Sequence, residues 1–189
     1  MANESDSEAR LVERAIAGDF DSFAALYSLH LDEIFRYIYF RILDRQEAED
    51  MTEQVFLKAW EALPNYNCSG CRFINWLYRI SHNLVVDHHR CRRTFTTEDD
   101  LFSEGSLPDQ AQENVLDKVI FDEESALLAG AIGRLPEDYQ QVIILRFVER
   151  LGYAEIAQIL DKSEVACRGI QHRALSILNR ILTVQQERG

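Results

Sequence analysis

The first group of side chains that could do chemistry lies in the segment 72–93, which carries five basic residues and one acidic residue. Aromatic rings alternate there with Arg and Asn at helical spacing. Rings stack on unpaired bases, guanidinium groups neutralise phosphates, and amides can hydrogen-bond to base edges. The pattern has two interpretations: a surface for single-stranded nucleic acid, or an ordinary amphipathic helix with a solvated basic face.

A second group lies in residues 153–173, where the pattern fits a helix-turn-helix. Asp161 and Lys162 form the turn, and Ser163 is a suitable N-cap for the second helix. The apolar positions that would seal the two helices together are Ile156, Leu160, Cys167 and Ile170. The second helix would present outward Glu164, Arg168, Gln171, His172 and Arg173. A helical hairpin without a DNA role is the alternative, but the cap and the basic residues favour binding in a major groove.

A third group lies on the segment 45–63, which has two stripes at helical spacing. The stripe predicted to face the core consists of Ala48, Met51, Val55, Ala59 and Ala62. The other stripe mixes carboxylates with large rings and consists of Glu49, Glu53, Phe56 and Trp60. It is interpreted either as a solvated acidic edge with its aromatics under a neighbouring helix, or as a docking face with aromatic anchors for a protein partner.

The elements that position these groups are predicted to be helices, because the chain has only 8 Gly and 3 Pro residues and apolar residues recur at helical spacing. A helix is expected to begin near Phe23 with Asp21 or Ser22 as its cap, and Pro64 should end the next one. The further helices are predicted at about 45–63, 73–92, 115–134, 137–149, 153–160 and 164–184. The fold class is therefore all-α, with two small helical domains joined by a flexible acidic linker.

The net charge of −12 at first argues against nucleic acid as a partner. The distribution changes that interpretation, since residues 72–93 have a net charge of +4 and residues 94–124 have −9. Local fields are screened beyond about 8–10 Å, so an acidic average can hide a basic surface. Residues 1–10 are polar and unlike a signal peptide, and no apolar run approaches the roughly 20 residues of a membrane span, so a cytoplasmic location without membrane insertion is expected.

The loop before the basic segment contains a CxxC pair, Cys68 and Cys71. Zinc needs four ligands in a tetrahedral set, and a second pair would have to come from His82, His88, His89 or Cys91. A zinc site or a redox pair is kept as an alternative, and otherwise no cofactor is expected. The sequence contains no P-loop and no catalytic triad, so the chain is not expected to be an enzyme.

Three motifs in order resemble the extracytoplasmic-function sigma factors of the sigma-70 family. Residues 47–60 resemble the polymerase-binding helix, residues 76–90 resemble the helix that recognises the promoter −10 element, and residues 135–174 are similar to the domain that recognises the −35 element. The chain departs from the family pattern at Glu53-Gln54, at Asp161 where a Gly is usual, and along Ala166–Gln171. The last departure bears on which −35 sequence is recognised.

The resemblance implies a division of the chain into a domain at 1–93 for polymerase binding and −10 melting, an acidic linker at 94–124, and a −35 domain at 125–189. The implied polymerase contacts are Glu49, Asp50, Glu53, Phe56, Leu57 and Trp60. The implied −10 contacts are Tyr66, Asn67, Arg72, Phe73, Trp76, Arg79, Asn83, Asp87, Arg90 and Arg93. The implied −35 contacts are Ser163, Glu164, Arg168, Gln171, His172 and Arg173.

The resemblance also implies a function and partners. The chain would direct promoter-specific initiation with core RNA polymerase, contacting the beta-prime clamp and the beta flap, and an anti-sigma factor would regulate it. Promoter DNA would be the other partner, with one base flipped into the loop before the basic helix. The alternatives are a stand-alone helix-turn-helix regulator, a helical adaptor that binds only protein, and a sigma factor whose CxxC loop senses zinc or redox state.

Overall fold

The computed structural model describes the backbone of residues 2–67, 72–95 and 123–186, and the side chains of residues 7–67, 72–91 and 128–183. Most of those residues are helical, and none of them lies in a strand, so the predicted all-α class is confirmed. The helices are α1 (Ala2–Ile16), α2 (Phe20–Ile42), α3 (Arg45–Ala62), α4 (Phe73–Phe95), α5 (Glu123–Gly133), α6 (Glu137–Ile143), α7 (Tyr153–Leu160) and α8 (Glu164–Gln186). None of the described helices is long and apolar enough to cross a membrane.

The first helix, α1, was not predicted from the sequence. Its first turns are polar, and its buried residues, Val12 and Ala15, come only near its end. Only the last part of this 15-residue helix carries large apolar residues, which is too short a pattern to identify an amphipathic helix. Helix α1 packs on α2, and that tertiary contact supplies what the local sequence does not signal.

Helix α2 begins three residues earlier than predicted. Its N-cap is Asp19, whose carboxylate accepts hydrogen bonds from the backbone N–H of Asp21 at 3.2 Å and from the Ser22 hydroxyl at 2.8 Å. The two residues predicted as caps, Asp21 and Ser22, therefore donate to the actual cap. The predicted position of the cap is wrong by two or three residues. The helix ends at Ile42, and its C-cap, Leu43, adopts a left-handed conformation with φ of 60°.

Helix α3 follows the prediction closely. Asp44 caps it by accepting from the backbone N–H of Glu47 at 2.9 Å, and a 3-10 turn at Leu63–Asn65 containing Pro64 ends it. Most of the stripe predicted to face the core is buried, as Ala48, Met51, Val55 and Ala59. Ala62 is exposed instead, because the last turn of α3 borders a groove next to α4.

The C-terminal helices α5 to α8 surround a small apolar centre. The segment predicted as a helix at 137–149 winds as a π-helix in its last part, Ile144–Val148. Helix α7 has the predicted bounds, and α8 extends two residues beyond its predicted end. Of the helix predicted at 115–134, the part in α5 is confirmed, and residues 115–122 lie outside the described residues. Most of the predicted linker, residues 96–122, also lies outside them.

The two halves of the chain pack against each other, which the sequence analysis did not predict. Helix α4 contacts α7, while α2 contacts both α5 and the π-helical segment. The approach is close at Gly133, where an added Cβ would lie 2.8 Å from Cδ1 of Leu43. A larger residue at Gly133 would have to displace the Leu43 side chain, so the small residue matches this junction.

Candidate functional site

The second stripe of α3 presents carboxylates but buries one of its rings. Phe56 is 3% exposed, and its ring lies 4.6 Å from that of Tyr27 between centroids. Trp60 is half-buried, with the Phe23 ring 4.9 Å away and the Phe20 ring 5.9 Å away. Phe56 therefore fits the interpretation that places the aromatics under a neighbouring helix, because α2 covers this side of α3. The other interpretation, an exposed docking anchor, is wrong for Phe56.

The exposed part of this α3 face combines charge with two apolar side chains. Glu49, Asp50 and Glu53 are exposed, and Leu57 is 60% exposed to solvent. Phe20, which the sequence analysis did not select, is 67% exposed and meets the edge of Trp60. Apolar groups rimmed by carboxylates suit a protein partner with a basic rim. We call the set Glu49, Asp50, Glu53, Leu57 and Phe20 the acidic α3 face.

The predicted −10 contacts divide into an exposed polar row and a partly buried aromatic cluster. Three rings pack together, with Tyr66 at 5.6 Å from Phe73 and 4.8 Å from Trp76. Tyr66 and Trp76 are half-buried, whereas Phe73 is 3% exposed and is not accessible to a base. The exposed predicted contacts are Asn67, Arg72, Arg79, Asn83, Asp87 and Arg90. The Arg93 side chain lies outside the described residues.

A groove between α3 and α4 adds residues that the sequence analysis missed. Its volume is about 450 Å³, within the range of ligand sites, and Trp76 forms part of its wall. Polar groups from both helices reach it, including Lys58 and Glu61 from α3 and Asn83 and Asp87 from α4. An aromatic wall beside amide and charged groups is suited to a planar ring with a polar edge. The remaining lining residues are Ala62, Ile80 and Leu84.

The CxxC alternative has no structural test, because Cys68 and Cys71 lie outside the described residues. Among the residues that could supply further ligands, His88 pairs with Glu47 at 3.1 Å and Cys91 is exposed. The described part of the chain contains no group of three or more His, Cys, Asp or Glu side chains that could hold a metal ion.

The helix-turn-helix has the predicted local geometry. Asp161 adopts the left-handed conformation at the turn with φ of 51°, and the Ser163 hydroxyl caps α8 by accepting from the backbone N–H of Ala166 at 3.2 Å. The four sealing positions, including Cys167, are buried. Burial raises the pKa of the Cys167 thiol, so this thiol is a core residue and not a reactive one. On the outer face of α8, Gln171 is half-buried, and the exposed predicted contacts are Ser163, Glu164, Arg168, His172 and Arg173.

A buried carboxylate links the two halves of the chain. The Glu149 side chain, 1% exposed, accepts two hydrogen bonds from Arg36 at 2.9 and 2.7 Å and one from the Tyr78 hydroxyl at 2.7 Å. Burial, followed by the Glu149 charge, raises the pKa of Tyr78, so its hydroxyl stays a donor. A second buried charge, Arg41, donates to Glu137 at 3.1 Å. Both pairs join α2 to the C-terminal half.

Glu155 of α7 touches the predicted −10 surface. One of its oxygens accepts from the backbone N–H of Gly152 at 2.9 Å and so caps α7. The other accepts from the Asn75 amide at 3.2 Å and lies 4.0 Å from the Arg72 guanidinium. In this structure, the first helix of the helix-turn-helix therefore contacts the start of the basic helix α4.

A buried histidine fastens α1 to α2. The His30 ring is 3% exposed, with Nδ1 3.0 Å from Glu33 and Nε2 3.3 Å from Glu8 of α1. Burial alone would lower the pKa of His30, but the two carboxylates outweigh it and the pKa is raised above 6.5. The hydrogen bond to His30 opposes the desolvation of Glu8 and holds the pKa of Glu8 below 4.5.

We expect the docking of α1 to weaken as the pH rises. The raised pKa of His30 gives stability that is complete below about 6.5 and is lost as the pH rises through the folded value, while the lowered pKa of Glu8 gives stability that is lost only at acidic pH. Hydrogen exchange in α1, corrected for intrinsic rates, should be slower near pH 6 than above pH 8. A His30→Gln variant should lose this difference, and equal protection at both pH values in the original chain would contradict the prediction.

Comparison with known families gives a match in each half. The family model described as Sigma-70 region 2 matches residues 26–95, and the one described as Sigma-70, region 4 matches residues 125–178. The chain is 32% identical over 183 residues to the RNA polymerase sigma-H factor of Pseudomonas aeruginosa, covering 94% of both proteins. It is 35% identical over 174 residues to the ECF RNA polymerase sigma factor BldN of Streptomyces coelicolor, covering 91% of this chain and 64% of BldN.

Two solved structures have a similar fold. The structure of CnrH in complex with the cytosolic domain of CnrY has a TM-score of 0.68 at 23% identity, covering 92% of this chain and 96% of that chain. The structure of the sigma factor RpoE with the anti-sigma factor NepR from Bartonella quintana also has a TM-score of 0.68 at 23% identity, covering 86% and 97%. At this identity, the similarity establishes the helical fold.

Proposed function

The chain belongs to the extracytoplasmic-function sigma factors of the sigma-70 family, and we propose that it binds core RNA polymerase and directs initiation at promoters of its own specificity. The observation that carries the proposal is the order of two matched regions along one chain, the first with a basic helix beside a groove and the second with a helix-turn-helix. As an initiation factor it needs no catalytic site of its own. It acts in the cytoplasm, where the polymerase is, and the domain limits proposed are 1–93, 94–124 and 125–189.

The acidic α3 face is the proposed polymerase-docking surface. Its carboxylates steer the chain towards a basic partner, the beta-prime clamp, and Leu57 and Phe20 supply apolar contact. Trp60 supports the face from below, since it holds Phe20 in place. Phe56 contributes indirectly, through the core.

The groove between α3 and α4 is the proposed site for one unstacked base of the −10 element. Trp76 offers a ring for stacking, the Asn83 amide can pair with the base edge, and Lys58 can neutralise a neighbouring phosphate. The exposed arginines of α4, among them Arg79 and Arg90, are proposed to contact the phosphates of the same DNA strand. The base thus lies beside α4 and not in the preceding loop alone. The outer face of α8 is proposed to enter the major groove of the −35 element.

The contact between the two halves must open when both elements are bound. The elements lie about 25 base pairs apart, roughly 85 Å at about 3.4 Å per base pair. The pair of Arg36 and Glu149 holds the halves side by side, and Glu155 lies 4.0 Å from the Arg72 guanidinium. A linker at 94–124 can span roughly 100 Å when extended, and its charge of −9 suits a channel built for nucleic acid.

Regulation by an anti-sigma protein is part of the proposal. The similar structures of CnrH and of RpoE are complexes, with CnrY and with NepR. A protein that covers the acidic α3 face would exclude polymerase from this chain as well. The competing hypothesis, a stand-alone helix-turn-helix regulator, requires specific duplex binding without polymerase.

We expect Leu57→Glu to weaken binding to core polymerase by about 30-fold or more, because a central apolar contact contributes about 2 kcal/mol. The side chain is exposed, so the fold should tolerate the change. Fluorescence anisotropy with labelled chain and core polymerase measures the affinity.

The matched control is Leu29→Glu. Leu29 is 53% exposed and lies nine residues after Phe20, which places it on the opposite side of α2. We expect this variant to bind polymerase within about twofold of the original chain. No binding of the original chain would refute the proposed function, whereas equal loss in both variants would refute the docking face alone.

A further inference from the structure

Tyr153, the first residue of α7, lies under the DNA-facing side of α8. Its ring is half-buried and close to two guanidinium groups, with Arg146 at 4.8 Å and Arg168 at 4.7 Å from the ring centroid. Both distances are within the range of cation–π attraction. Arg146 is itself fixed, because it donates to the carbonyl of Leu151 at 2.7 Å. The Tyr153 ring thus contacts both the fixed Arg146 and Arg168 of α8.

The hydroxyl of Tyr153 makes a second contact with the same face. It donates to Oε1 of Gln171 at 2.5 Å. Gln171 follows Arg168 by three residues, so the two side chains are neighbours on one side of α8. A glutamine amide has one acceptor oxygen and an NH2 group with two donors. The bond from Tyr153 uses one of the two lone pairs of that oxygen and fixes which way the amide points, so the NH2 group and the second lone pair are left for the DNA.

We propose, on the basis of the proposed −35 recognition, that Tyr153 is a positioning residue that fixes the base preference of Gln171 and aims Arg168. A free glutamine pairs with adenine by accepting from N6 and donating to N7. The second lone pair of Oε1 can accept from N6 while the first is bonded to Tyr153. Because the bond from Tyr153 holds the amide in one orientation, Gln171 is set to pair with adenine through both its oxygen and its NH2 group.

A merely structural role would have a different signature. Tyr153 joins α7 to α8, so removal of its ring would disturb both helices and every base contact with them. The Tyr153→Phe variant keeps the ring and both guanidinium contacts and removes only the hydroxyl. It should leave the melting temperature and the affinity for non-specific duplex nearly unchanged, and release the amide of Gln171 alone.

The test is selection of bound sequences from a library of randomised duplexes by the full chain assembled with core polymerase. We expect the original chain to prefer adenine at the base pair that Gln171 contacts, and Tyr153→Phe to weaken this preference by about fivefold, the effect of one hydrogen bond. Preferences at the other base pairs should not change. In a Gln171→Ala background, Tyr153→Phe should have no further effect on the selected sequences.

Each remaining outcome has a distinct meaning. If the original chain selects no common sequence, the proposed −35 recognition fails, and the inference fails with it. If the original chain selects a motif and Tyr153→Phe selects the same one with the same stringency, the inference alone is overturned. If Tyr153→Phe weakens all base preferences equally, or acts equally in the Gln171→Ala background, Tyr153 is structural and the inference is also overturned.

Discussion

Replacing Phe56 by alanine is expected to lower the free energy of unfolding by about 3–5 kcal/mol, the usual cost of removing a buried aromatic ring. The ring is 3% exposed and packs on Tyr27, so its loss leaves a cavity between α2 and α3. Because α2 and α4 pack on α3 from different sides, the surroundings have little freedom to collapse into that cavity. Chemical denaturation followed by circular dichroism measures the change.

The neighbouring residue provides the control. Leu57→Ala removes an apolar side chain that is 60% exposed, and we expect the free energy of unfolding to change by less than about 0.5 kcal/mol. Two adjacent residues thus separate stability from docking, since Phe56 supports the fold and Leu57 is the proposed contact with the partner. Equal destabilisation by the two substitutions would show that the burial of Phe56 is wrongly assigned. Polymerase binding by a Phe56 variant reports mainly on folding.

Replacing Glu149 by alanine is expected to destabilise the chain by about 3 kcal/mol, because it removes one partner of a buried charge pair. Arg36 and the Tyr78 hydroxyl would then lose their acceptor at the junction of the two halves. About a third of the Arg36 side chain is exposed, so water can solvate the guanidinium when its partner is removed. The expected loss of stability is therefore at the lower end of the range for buried charge pairs.

The effect of Glu149→Ala should be specific to the junction. Hydrogen exchange should accelerate first in α7 and in the start of α4, where the halves meet, before the rest of α2 and α3. The control is Glu49→Ala, which breaks the exposed pair with Arg45 at 2.9 Å and should cost less than about 0.5 kcal/mol. If both substitutions have the same small effect, Glu149 does not hold the halves together.

Local features of the sequence predicted most of the helices. Asp44 and Ser163 are caps whose side chains bond to the next turn, and Pro64 ends a helix whatever surrounds it. The turn at Asp161 was predicted on the same grounds, since its backbone conformation depends on few neighbours. The signals for these features lie within a few residues of the feature itself.

The contacts that join distant segments could not be predicted in this way. Arg36 and Glu149 are 113 positions apart, and neither lies in a pattern that marks it as buried. The pattern alone left Phe56 open between a buried ring and a docking anchor, because the helical period assumes one buried direction, whereas α3 is covered by both α2 and α4. The groove residues Lys58 and Glu61 were missed for the same reason, since they matter only through the position of α4.

Initiation at specific promoters is the central claim, and run-off transcription tests it most directly. Core polymerase from the source bacterium would transcribe fragmented genomic DNA with and without the chain, and the 5′ ends of the RNA would be sequenced. We predict transcripts that require the chain and start downstream of a shared pair of sequence elements spaced as −35 and −10. No chain-dependent transcript, or start sites without shared upstream elements, would contradict the claim.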